Sequence, residues 1–200
     1  GFSAGHNLKE VKNLKVRNKY QKLFNLCSKL MLQIVEGKKP VIAKVHGAAY
    51  AAGCQLVASC DLAYASKSAK FATPGVNIGL FCSTPMVALS RNISNKHSME
   101  MLLTGDLISS EQAAKVGLIN EMVTDNKLKD FVFDKALKIS KKSSMTIKIG
   151  KEAFYKQKNM TLSEAYDYAS NTMVENMLKI DAKEGINAFL DKRKPNWQDK

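Results

Sequence analysis

Residues 40–66 read PVIAKVHGAAYAAGCQLVASCDLAYAS, and this stretch decides the fold. Val41 through Val45 is a short, mostly apolar run rich in β-branched residues, which predicts a strand. The small-residue run from Gly47 to Gly53 predicts a turn that carries the chain into a buried helix over residues 52–59. Leu62 to Ala65 predicts a second strand and Lys70 to Ala72 a third. Strands alternating with helices at this short spacing indicate an α/β core.

Charge supports placing the buried heart of the protein here. Residues 40–95 carry four basic side chains, Lys44, Lys67, Lys70 and Arg91, and a single acid, Asp61. The preceding residues 9–39 carry nine basic and two acidic ones. That basic segment still has a helical apolar face, with Val16, Tyr20, Leu23, Phe24, Cys27, Leu30, Met31 and Ile34 at i, i+3, i+4 spacing, ended by Gly37 and Pro40. Further on, Thr84-Pro85 predicts the cap and first position of another helix, and Ser109 with Gln112 a capping box for a helix stopped by Gly117. The last third predicts helices over 127–140, 144–157, 161–178 and 182–192, with Thr161 and Glu164 as a second capping box. The expected organisation is an α/β core over residues 1–140 and a helical extension over 141–200.

Two hundred residues with 45% hydrophobic and 24% charged side chains suffice for a substantial core. No uncharged apolar run approaches the ~20 residues of a bilayer-spanning helix. The four cysteines, Cys27, Cys54, Cys60 and Cys82, form no CxxC pair, which argues against a disulfide framework or a zinc site. A net charge of +13 calls for anionic partners or a basic compartment without specifying nucleic acid. The opening Gly1 to His6 has neither a charged-then-apolar leader nor an Arg-rich presequence, so it reads as the middle of a protein, with the opening segment expected to be missing or processed away.

Two small-residue turns carry chemical weight: Phe2 to Leu8, and His46 to Cys54. Where a strand turns into a helix through small residues, a ligand can approach the backbone. The helix start then aims free N–H groups and partial positive charge at it. Two such N–H groups from separate turns can hold a developing oxyanion. The competing reading is that Gly and Ala here serve close packing.

FSAGHNLKE (2–10), the stretch at 40–66, FATPGVNIGL (71–80), LLTGDLISSEQAAKVGLINEMV (102–123) and EGINAFLDKRKPNW (184–197), in that order, resemble the crotonase (enoyl-CoA hydratase/isomerase) superfamily and in detail a mitochondrial branch of it. The resemblance implies a crotonase-like ββα superhelix core with a C-terminal helical trimerisation region. It also implies a coenzyme A thioester as ligand with no separate cofactor, a homotrimer or dimer of trimers, and a mitochondrial location. It further implies that the chain lacks the family's first strands and part of its adenine-binding loop, leaving the pocket short of a wall. By position, the two oxyanion-hole amides are those of His6 and Ala52, and the basic residues beside the coenzyme A phosphates are Lys9 and Lys192.

The departures from the family pattern weigh more. Its hydratases use two glutamates to position water and move protons, and those positions here are Gln55 and Gly75. An amide side chain can hydrogen-bond water but cannot take its proton, and glycine can do neither. The aspartate used by dienoyl isomerase relatives falls at Ser83, and no carboxylate stands between Asp61 and Glu100. Cys82, Ser83 and Thr84 are candidate nucleophiles without a histidine close in sequence. Three functions are therefore expected to compete: an acyl-CoA-binding protein of fatty-acid metabolism without hydratase activity; an enzyme relying on the oxyanion hole alone, such as a thioester hydrolase or decarboxylase; and an RNA- or protein-interaction role through the basic helix, with nucleic acid the weaker expectation.

Overall fold

Val45 is fully buried and Lys44 beside it is exposed, the alternation of a strand with one face in the core. This strand, β1 (Ile42–Val45), opens the repeating unit of the fold in a computed structural model that describes all 200 residues. At Gly47 the backbone takes φ +81, a conformation glycine adopts without steric cost, and the chain turns into β2 (Ala48–Tyr50). β1 and β2 do not pair with each other. Helix α3 (Ala52–Ser59) follows, and then β3 (Leu62–Ser66) and β4 (Lys70–Ala72) repeat the pattern one turn along. β3 pairs parallel with β1, Ile42 opposite Leu62, while β4 pairs parallel with β2, Ala48 opposite Lys70. Each unit thus gives one strand to each of two sheets before its helix, which is the ββα superhelix the resemblance implies.

The repeat closes with β5 (Ile108–Ser109), antiparallel to β4, and β6 (Glu121–Val123), parallel to β3, so the sheets run β2-β4-β5 and β1-β3-β6. Between β4 and β5 lie a 3-10 turn (Pro74–Ile78) and helices α4 (Ser83–Leu89) and α5 (Asn95–Thr104); α6 (Ser110–Lys115) precedes β6. Phe71, Leu89, Leu102, Val45 and Val57 are fully buried here, and each such side chain contributes roughly 1.5–3 kcal/mol by leaving water. Near the N-terminus, two helices, α1 (Leu8–Asn13) and α2 (Arg17–Glu36), precede the strands. The apolar stripe expected on α2 is narrower than its spacing suggests: only Met31 and Ile34 are buried, while Val16, Phe24 and Leu30 stay exposed.

Contacts divide the chain into two compact units, one of residues 1–35 with 41–133, the other of residues 36–40 with 134–200. The second contains most of α7 (Leu128–Ser140), then α8 (Ser144–Gln157), α9 (Leu162–Met177) and α10 (Ile180–Leu190). The Thr161–Glu164 capping box at the start of α9 is fully formed. The tail is laced back by hydrogen bonds. The buried carboxylate of Asp181 accepts from the Gln198 and Asp199 amides at 2.7 and 3.0 Å, and Asp199 in turn accepts from the Ser144 amide at 2.7 Å, capping α8. Trp197 donates its indole N–H to the Lys141 carbonyl at 2.9 Å. Arg193 grips Glu184 through two parallel hydrogen bonds of 2.7 and 2.9 Å, which together with the Asn196 amide hold the Glu184 carboxyl down at about 2.

Two local expectations need correcting. The helix expected to open at Thr84-Pro85 begins at Ser83, with Cys82 at the cap position and no side chain capping it. Pro85 is accommodated because an N–H in the first turn of a helix has no intrahelical partner to lose. The small-residue run at 47–53 is not all turn, since Ala48–Tyr50 is β2.

Candidate functional site

The site is built where the start of the chain runs beside β2. The amides of Phe2 and Ser3 donate to the Ala48 carbonyl at 2.8 and 2.9 Å, and the Tyr50 amide donates to the Ser3 carbonyl at 2.8 Å. This pairing lays the Ser3-Ala4-Gly5-His6 turn against the turn from β2 into α3. Gly53 makes the approach possible. A Cβ on it would stand 2.2 Å from the Ser3 carbonyl oxygen and 2.8 Å from the Ser3 Cβ. Gly5 is also close, since a Cβ there would lie 3.1 Å from the Ala52 nitrogen, and its φ of +88 suits glycine. The amides of His6 and Ala52 therefore belong to two turns in contact, and neither donates to an acceptor in the protein.

The turn into α3 is strained. Ala51 sits at φ 49, ψ −117, a region that suits glycine and costs an L-residue roughly 1–3 kcal/mol. The strain makes Ala52 the first residue of the helix directly after the strand. Its N–H points out of the helix start, where the aligned peptide dipoles favour negative charge. The His6 imidazole packs edge-on against the Phe24 ring, with centroids 5.6 Å apart.

The two positions at which the resemblance implies glutamate in hydratases, 55 and 75, differ in kind. Gln55 lies in the first turns of α3 and is only 4% exposed; its side-chain oxygen receives a long contact of 3.8 Å from the Cys27 thiol. Gly75 lies in the 3-10 turn, and there the structure adds something the sequence did not signal. A Cβ on Gly75 would stand 2.3 Å from the Leu80 carbonyl oxygen and 2.8 Å from the Cys82 sulfur. The Leu80 amide also donates to the Gly75 carbonyl at 2.9 Å. The segment 80–82 fills the space in which a side chain at this position would start.

Close to the candidate nucleophiles Cys82, Ser83 and Thr84 lies a second buried thiol, Cys54. Burial, and secondarily Cys82, pushes the Cys54 thiol up to about 12, so it stays protonated at neutral pH. The Ser83 hydroxyl donates to the Phe81 carbonyl at 3.3 Å. Of the histidines, His97 is spent at the start of α5, where its Nδ1 lies 2.8 Å from the Ser94 hydroxyl. Asp61, the one acid of residues 40–95, accepts from the Val41 amide at 2.7 Å. Lys9 is exposed in the first turn of α1, and Lys192 is exposed just past the end of α10 at φ 54, each within its own unit.

Paired strands exchanged between two sheets, with unpaired amides where a strand turns into a helix, define a crotonase-fold protein. The chain matches the family profile of enoyl-CoA hydratase/isomerase over residues 1–200 and belongs to that family. Among curated relatives, "Enoyl-CoA hydratase domain-containing protein 3, mitochondrial" is 47% identical in Rattus norvegicus and 48% in Homo sapiens, each over 98% of this chain. The chain spans 65% of the length of those two relatives. The crystal structure of the human protein of that name superposes with a TM-score of 0.95 at 48% identity, covering 98% of this chain and 78% of that one. An enoyl-CoA hydratase from Mycobacterium smegmatis superposes equally well, at 0.95 and 48% identity, over 97% of this chain and 76% of that one. The mitochondrial location expected from the family branch agrees with the names these relatives carry.

Proposed function

We propose that this chain binds a fatty acyl-coenzyme A thioester and does not hydrate it. The thioester carbonyl oxygen accepts from the His6 and Ala52 amides, at the start of α3, where charge on that oxygen is stabilised without any proton transfer. Lys9 supplies positive charge for the phosphates of the ligand, which needs no further cofactor. One observation carries the reading: the amides of the cradle have no protein acceptor, while the place of the second glutamate is taken up by Leu80 and Cys82. A site that polarises a carbonyl but offers no carboxylate to move a proton loses about 10²–10⁴-fold for each missing group.

Assembly through the C-terminal helices into a homotrimer or dimer of trimers fits this reading. Leu162, Tyr166, Met173, Leu178, Phe189 and Leu190 are all exposed on α9 and α10 or just beyond. The reading also places the chain in mitochondrial fatty-acid metabolism. The cradle is tested by the vibrational spectrum of a bound acyl-CoA carrying a labelled thioester carbonyl. Two hydrogen bonds lower the stretching frequency relative to the free ligand, and an unshifted band would remove the cradle. The unpaired amides also favour a second reading, in which chemistry needing only an oxyanion hole persists: thioester hydrolysis, or decarboxylation of a malonyl-type thioester to a stabilised enolate. Conversion of either kind of substrate by the chain would select it.

A further inference from the structure

We propose that the outward face of α2 docks this protein on an anionic lipid bilayer surface. Lys19, Lys22, Leu26, Lys29, Leu30 and Gln33 recur at i, i+3, i+4 spacing, and all are exposed. Met31, across the helix from the lysines of this stripe, is buried, and so is Ile34, one turn beyond Leu30, where the stripe meets the core. The outward stripe thus carries two bare leucines, Leu26 at 67% and Leu30 at 47% exposure, framed by three lysines. The surroundings strengthen the field. Residues 9–35 hold seven basic side chains, all exposed, against one acid, Glu10, which Asn7 engages at 2.9 Å.

Charge complementarity names the occupant. Lysines on flexible stems reach anionic headgroups while short apolar side chains between them sink into the acyl boundary, the pattern of a helix that lies on a bilayer without crossing it. No helix of this protein is long and apolar enough to cross one. A single-stranded nucleic acid would seek stacking aromatics among the lysines, and this stripe has leucines instead. The inference does not depend on the thioester site.

The test is co-sedimentation of the full chain with vesicles of phosphatidylcholine alone or of equal parts phosphatidylcholine and phosphatidylglycerol. Binding is expected to the anionic vesicles only, and to weaken as salt is added. K19Q/K22Q/K29Q should weaken it by about 100-fold, at roughly fivefold per lysine. L26S/L30S, on a chain with an unchanged far-ultraviolet circular dichroism spectrum, should weaken it by roughly tenfold. Equal binding to both vesicles, binding to neither, or binding untouched by L26S/L30S overturns the proposal. So does lysine-dependent binding to unstructured RNA in place of vesicles, or a change of oligomeric state on L26S/L30S, which would assign the face to a second copy of the chain.

Discussion

Gly53→Ala is expected to destabilise the chain by roughly 3 kcal/mol or more and to abolish acyl-CoA binding, one methyl group having the effect usually seen for a deleted core side chain. The added carbon would stand 2.2 Å from the Ser3 carbonyl oxygen. Ser3 cannot step aside cheaply, because its amide and carbonyl are both engaged, with Ala48 and Tyr50, at 2.9 and 2.8 Å. Overpacking of this kind costs ~1–3 kcal/mol, and each backbone hydrogen bond broken to relieve it costs ~1 kcal/mol more. The relief also separates the two turns that present the His6 and Ala52 amides, so binding falls with stability. Thermal unfolding and acyl-CoA titration of the variant check both effects. A Gly53→Ala protein as stable as the parent and binding as tightly would show that the two turns need not touch.

Restoring glutamates should fail to restore hydration. The Gln55→Glu/Gly75→Glu double variant is expected to turn over crotonyl-CoA within about tenfold of the unsubstituted chain, short of the 10²–10⁴-fold that each working acid/base group supplies. At Gly75 the reason is space. The new side chain starts 2.3 Å from the Leu80 carbonyl oxygen, so segment 80–82 must be displaced and its hydrogen bond to Gly75 lost before a carboxylate can point anywhere. At position 55 a carboxylate can hold a water, but without a working partner at position 75 it has no second group to complete the proton transfer. Steady-state kinetics of the double variant decide this. A gain of 10² or more would mean that segment 80–82 yields easily and that the two positions differ from a hydratase only in their side chains.

How much of this was legible in the sequence depended on whether the signal was local. Helices α8 and α9 were, since Ser143 and Thr161 cap them through contacts three residues away, and the helices lie close to where spacing put them. The turn into α3 was also legible from its small residues. β2 was not: Ala48–Tyr50 has no β-branched residue, and it is a strand only because β4 and the segment at Ser3 pair with it. β6, three residues long, is likewise defined by its partner β3. The apolar face of α2 was overestimated because spacing reports which side chains share a face and not what covers it. The same limit applies at the site. Gly75 could be read as a missing acid, but the Leu80 carbonyl that stands against it is five residues further along a turn whose path no residue pattern specifies.

The most direct measurement is the absorbance of the conjugated enoyl thioester when crotonyl-CoA is mixed with excess protein under conditions where titration shows it bound. A chain that polarises the carbonyl without a proton-transferring carboxylate shifts that band on binding and then holds it constant over many minutes while the ligand remains bound. Loss of the band at an ordinary enzymatic turnover, ~1–10³ s⁻¹, would contradict the account.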